Sequence, residues 1–274
     1  MDWEMDNQSL NRTFMICSES YSIVCLVLNN VQLFFDFPST VVVIVKLLSK
    51  IYKTRSISPA ESFLLQINFT NVCLSSSLLL LFLKTINVGH FYSDLYLFFQ
   101  IPSIIARPFF LLAIGAIFYT AIVHPITYMA TKSCLRWDWL VITLIWIYTL
   151  AIAVFIIFKK LDLSHPFFFI LFFINFAPTI FFNIATLRAL SSSGPGNGSQ
   201  TLNLAKRKAF RIILSILMVL LVYYVPRLYV NLYAVIAPND WNFLCYEVMI
   251  MLIPKFAEIA MPVIFLYSLR KLGV

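Results

Sequence analysis

Seven apolar stretches, each about as long as a helix must be to cross a lipid bilayer, constrain this chain more than any other feature. They run roughly over residues 22–48, 61–83, 95–123, 139–158, 167–190, 209–237 and 244–269. A helix needs ~20 apolar residues to span the hydrocarbon layer. The backbone inside that layer must satisfy its own hydrogen bonds, which a helix does. The longer stretches have to tilt or project beyond the bilayer. Composition agrees: 61% of the 274 residues are hydrophobic and 12% are charged, against about 25% charged in a soluble domain. A core this apolar would lack the polar residues to cover it in water. The expected fold is all-α, a seven-transmembrane helix bundle over 22–270, with a polar arm before it (1–21) and a short tail after it (271–274). No soluble repeat or second domain is visible.

The charges give the bundle a direction. The joint after the first stretch holds Lys46, Lys50, Lys53 and Arg55, and the joint after the third holds Lys132 and Arg136. Arg188, Lys206, Arg207, Lys208 and Arg211 flank the joint after the fifth, and Arg270 and Lys271 follow the last. Against these stand Arg12, Lys84, Lys159 and Lys160 on the other side. Basic joints stay in the cytosol, so the N-terminus is expected outside and the C-terminus inside, as an odd number of crossings requires. The net charge of +8 therefore belongs to cytoplasmic joints. It forms no basic stripe of the kind nucleic acid needs, and the partner implied is the bilayer.

The start, Met1-Asp-Trp-Glu-Met-Asp6, is acidic where a cleavable signal is basic, so the first stretch is expected to act as its own insertion signal. The arm carries two N-x-S/T sequons, at Asn7 and Asn11, both glycosylation candidates if it faces the lumen. The match at Asn68 lies inside the second stretch, and that at Asn197 lies in an inner loop. Ser191–Ser199 is Gly/Ser-rich and reads as a flexible loop. Trp3, Trp137, Trp139 and Trp241 fall near the membrane interfaces, as belt residues do.

The third stretch ends Tyr119-Thr-Ala-Ile-Val-His124-Pro125-Ile-Thr-Tyr128. This resembles the exit of the third helix of the rhodopsin-like (class A) G-protein-coupled receptors. Other positions follow in order. Leu65-Gln66 and Asn71 are similar to the family's L-N-x-x-x-x-D run, Trp146 to its helix 4 tryptophan and Pro178 to its helix 5 proline. Tyr223-Tyr224-Val225-Pro226 stands for C-W-x-P, and Met261-Pro262-Val263-Ile264-Phe265 for N-P-x-x-Y. In helix 1, Thr40 stands where the family usually has asparagine. The resemblance covers roughly 22–270. It implies a plasma-membrane receptor with an extracellular ligand in the outer half of the bundle. Helix 6 would then move at Pro226, and a heterotrimeric G protein would meet Tyr119, His124, Lys206, Arg207, Lys208 and Arg211. The departures are specific. The family's Asp-Arg pair is Ile117 and Phe118 here, and its tyrosines of helices 5 and 7 are Thr186 and Phe265. The groups that bridge the helices in the family's active state are missing, which implies different coupling or none. The usual disulfide from helix 3 is also absent. Cys17 and Cys245 stand where some members join the arm to helix 7; two free thiols is the alternative.

Of the charges within the spans, five lie deep enough to weigh: Asp36, Arg107, Arg227, Lys255 and Glu258. Such residues cost ~2.5–3.5 kcal/mol or more at the bilayer centre and normally pair or face a cavity. In the family a helix 2 aspartate helps to hold a sodium ion. Here that place is Asn71, and the resemblance sets Arg107 and Glu258 beside the same cavity. A tethered guanidinium in the place of the ion is one expectation, and a merely structural Arg107–Glu258 pair is the other. Asp36 is placed to neutralise Lys255. Arg227, with Tyr223, Tyr224 and Lys255, lies at the ligand level. It invites a carboxylate or phosphate, or else pairs with Glu247 or reaches water. Lys255 lies near the level of the opsins' retinal lysine, a likeness of one residue, and no cofactor is expected.

No metal spacing joins the five cysteines. No carboxylate and nucleophile accompany His124 or His165, so no enzyme is expected. Two other functions stay open. One is a non-signalling seven-helix protein that acts by partner binding. The other is a transporter or channel, which would call for inverted repeats.

Overall fold

The computed structural model describes residues 2–55, 57–85, 91–132, 136–159, 165–192, 200–236, 249–250 and 252–257, and these are helical almost throughout. The helices are α1 (Asp2–Thr54), α2 (Pro59–Thr85), α3 (Phe91–Val123), α4 (Pro125–Lys132), α5 (Arg136–Lys159), α6 (His165–Ser192) and α7 (Gln200–Ile236). Five are long and apolar enough to cross a membrane, over Val27–Thr54, Pro59–Leu83, Leu95–Val123, Trp137–Phe158 and Pro166–Ser191. A shorter apolar stretch, Leu220–Ile236, lies in α7. Residues 252–257, in the seventh stretch, are also helical.

For the five helices of membrane length, the expected spans and the helices differ mainly at their ends. α1 continues back to Asp2, through the residues expected as a separate arm; its membrane-crossing part begins at Val27, close to the hydropathy boundary. α7 starts at Gln200, nine residues before the apolar stretch, so it is about 55 Å long at 1.5 Å per residue and exceeds the bilayer.

Large apolar side chains cover the outside, and several polar ones are buried. Phe34, Phe158, Ile147 and Ile174 are exposed, while Asn68, Asn71, Arg107, Asn175 and Asn183 are buried. Water would not tolerate that arrangement over five helices, whereas hydrocarbon favours it. The fold is thus a helical bundle whose outer surface suits lipid and whose interior mixes an apolar core with buried polar side chains. α3 is its axis: it contacts α2, α4, α5 and α6, while α1 rests on α2 and α7 on α6. Leu95–Val123 is accordingly the most buried span.

The α1–α2 joint is tightly built. Arg55 ends α1 in the left-handed region (φ 49°), its N–H donating to Ile51 O at 2.8 Å. Ser58 caps α2. Its N–H donates to Glu61 Oε2 (3.1 Å), and the Glu61 N–H donates to Ser58 Oγ (3.4 Å). This is a capping box, with Pro59 at the first helical position where its missing N–H costs nothing. The other Glu61 oxygen accepts Lys50 Nζ at 2.5 Å, so one carboxylate both starts α2 and holds α1 to it.

Candidate functional site

The polar interior is built from single side chains on otherwise apolar helices. Arg107, in the middle of α3 and 2% exposed, donates from Nη2 to Asn71 Oδ1 on α2. Its guanidinium also lies over the ring of Tyr223 on α7, 5.9 Å from the centroid. Arg227 lies over the same ring at 4.6 Å and over Phe172 of α6 at 5.8 Å. Tyr223 and Arg227 are four residues apart, so they stack along one side of α7. One buried ring therefore serves two guanidiniums, from α3 and from α7. Each such contact is worth ~0.5–2 kcal/mol, most where water is excluded.

Tyr224 completes the group. It is fully buried, meets Tyr223 edge-on at 5.2 Å and packs against Phe172 and Phe176. Its hydroxyl has no hydrogen-bond partner among the described residues, yet it lies within electrostatic reach of both arginines. Two residues on, Pro226 offers no N–H, so the carbonyl of Val222 loses its i+4 donor and α7 is weakened at this level.

A second polar group ties α1 to the seventh stretch. Gln32, Asp36 and Thr40 continue the buried face of α1 that holds Val43 and Leu47. Lys255 Nζ donates to Gln32 Oε1 at 3.3 Å, and Thr40 Oγ1 donates to Asp36 Oδ1 at 3.4 Å. Gln32, one turn before Asp36 on the same helix, is the acceptor for Lys255. A third link joins α2 to α5, where Trp146 Nε1 donates to Gln66 Oε1 at 2.9 Å.

At the other end of α3, Tyr119 sits among His124, Phe181 and Phe182, with centroids 5.3–6.1 Å away. Thr186 Oγ1 donates to Phe182 O of its own helix at 2.6 Å. The Thr186 hydroxyl is thus satisfied within its own helix. His124 is exposed, and so are Ile126 and Met129 of α4.

Glu258, Glu247, Cys245 and Phe265 lie outside the described residues, and so do the side chains of Asn7, Asn11, Cys17, Lys206, Arg207, Lys208 and Arg211. Among the described residues, no three His, Cys, Asp or Glu side chains gather as a metal site. A cavity of about 370 Å³ lies elsewhere, between α2, α3 and α5, lined by Phe69, Cys73, Phe98, Phe99, Pro102, Trp146 and Leu150.

The sequence put Asn71 and Arg107 in one cavity with Asp36 and Glu258, and Tyr223, Tyr224 and Arg227 at the ligand level with Lys255; the structure brings Asn71, Arg107, Tyr223, Tyr224 and Arg227 into one cluster. It did not mark Gln32, the Gln66–Trp146 bond or the Lys50–Glu61 pair. Ser58-Pro-Ala-Glu61 was a readable signal for the last. The other two join residues distant in the chain, and no local pattern announces them.

No family model matches the chain, and comparison with curated proteins gives no match.

Proposed function

We propose that this protein is a class A-like receptor of the plasma membrane, with seven crossings, its N-terminus outside and its C-terminus inside. It would bind a small ligand or peptide carrying an anionic group in the outer half of the bundle and pass the signal to a heterotrimeric G protein through movement of α7. The observation that carries this is the ring of Tyr223 between Arg107 and Arg227. An anion reaching Arg227 competes with that ring for the guanidinium. Tyr223 is then released from its place over Arg107, and α7 can swing at Pro226. The shift requires that the ligand favour the open state in free energy. Nucleotide exchange by candidate G proteins in membranes containing the chain, screened with anionic ligands, tests the proposal. Exchange should rise with an agonist and be lost in Arg227→Ala with surface expression intact. A response unchanged in Arg227→Ala refutes the anion site, and no exchange with any G protein refutes the coupling.

A second function has one observation in its favour. Around Tyr119 the helix ends meet through aromatic rings, and Thr186 is satisfied within its own helix. That arrangement suits a seven-helix protein that binds a partner without switching.

A further inference from the structure

We infer that the exposed basic end of α1 is a binding surface for an anionic phospholipid headgroup. Lys46, Lys50 and Lys53 fall at i, i+4 and i+7, which places them along one side of the helix. Lys50, nearest α2, is taken by Glu61. Lys46, Lys53 and Arg55 are exposed, and no side-chain hydrogen bond or ion pair joins them to the described residues.

Lys46 decides the partner. It lies within the span Val27–Thr54, about 12 Å before its end at 1.5 Å per residue. Its neighbours Val42, Val45 and Leu48 are all exposed, so this side of α1 faces lipid. A lysine there lays its stem along hydrocarbon and takes its ammonium to the headgroups, where phosphate supplies the counter-charge. The negative end of the helix dipole accounts for Lys53, in the last turn, but not for Lys46 two turns earlier. Tyr52, 87% exposed, adds an aromatic ring at the level where such rings favour the interface. The carboxylate of Glu61 is already occupied, so among the described residues the positive charge of this surface is uncompensated, and its complement is an anionic lipid. None of this depends on the receptor proposal.

The test uses the full chain in nanodiscs of phosphatidylcholine, doped with phosphatidylserine or with a phosphorylated inositol lipid. The anionic lipid retained by the protein is quantified by mass spectrometry. Each basic residue near the membrane surface is worth about fivefold in affinity. Lys46→Gln alone should therefore weaken retention about fivefold, and Lys46→Gln/Lys53→Gln/Arg55→Gln by at least about tenfold. Melting of either variant in pure phosphatidylcholine should be unchanged, because no described protein partner is lost. Lys206→Gln/Lys208→Gln, in another basic segment beside the membrane, reports the loss from general surface charge, and its loss should be clearly smaller than that of the triple variant. Equal retention by the triple variant and the parent overturns the inference, as does equal loss in both sets of variants. Displacement of the lipid by millimolar inorganic phosphate also overturns it, since the site would then be one for soluble anions.

Discussion

Replacing Asn71 by leucine removes the amide that accepts from a guanidinium 2% exposed to solvent. Leucine branches at the same carbon, so the shape is largely kept and the acceptor is lost. A hydrogen bond to a charged group is worth ~1.5–3 kcal/mol, and a buried donor left without it bears its desolvation cost. The contact of Arg107 with Tyr223 survives, so the expected loss is about 2–3 kcal/mol. For a chain of this size that corresponds to a fall in melting temperature of about 5–10 °C, measured in detergent or nanodiscs. Asn71→Asp keeps an acceptor and adds an opposite charge, against the cost of burying a carboxylate; it should melt at or above Asn71→Leu by several degrees. Asn68→Leu is the control. Asn68 is equally buried on the same helix, but its Nδ2 donates only to Leu64 O, and its Oδ1 has no partner among the described residues. Its replacement should cost less than about 1 kcal/mol. If the two leucine variants melt together, Asn71 does not hold Arg107 and the polar cluster is wrongly assigned.

Glu61→Gln keeps the side-chain oxygen that caps α2 but loses the ion pair with Lys50. It should cost about 0.5–1 kcal/mol, and Glu61→Ala about 1 kcal/mol more; equal melting of the two variants would show that the cap contributes nothing. Tyr224→Phe deletes a buried hydroxyl with no partner among the described residues, so the melting temperature should hold or rise, and a clear fall would reveal a partner. Gly115→Ala should be accepted, since the added Cβ meets Asn183 Nδ2 at 3.5 Å and Phe182 Cβ at 3.7 Å. Those are ordinary contacts, and helix propensity favours alanine by about 1 kcal/mol. A loss of folded yield would mean that α3 and α6 lie closer than this. A double-mutant cycle on Gln66→Leu and Trp146→Phe should give a coupling of about 0.5–1.5 kcal/mol, and zero coupling would contradict the α2–α5 bond.

The helices were legible because hydropathy reports burial in lipid directly. The end of α3 at Val123 and the core of α5 follow from runs of apolar residues ended by Pro125 and Lys159. α2 begins at Pro59, two residues before the apolar stretch, because the cap between Ser58 and Glu61 sets its first turn. The candidate site was legible as a set of residue types, because an arginine such as Arg107 in an apolar run has to be explained. Its geometry was not. That Tyr223 lies between two guanidiniums depends on how α3 and α7 approach, and that Lys255 meets Gln32 depends on a contact across 223 residues. Neither leaves a periodicity in the chain.

The receptor proposal requires a bundle whose two ends lie on opposite sides of a plasma membrane. Epitope tags before Met1 and after Val274, and a third between Ser193 and Ser199, can be labelled on intact and on permeabilised cells. The N-terminal tag should stain on intact cells, and the other two only after permeabilisation. Staining of the C-terminal tag on intact cells, or both end tags in one compartment, would contradict the account.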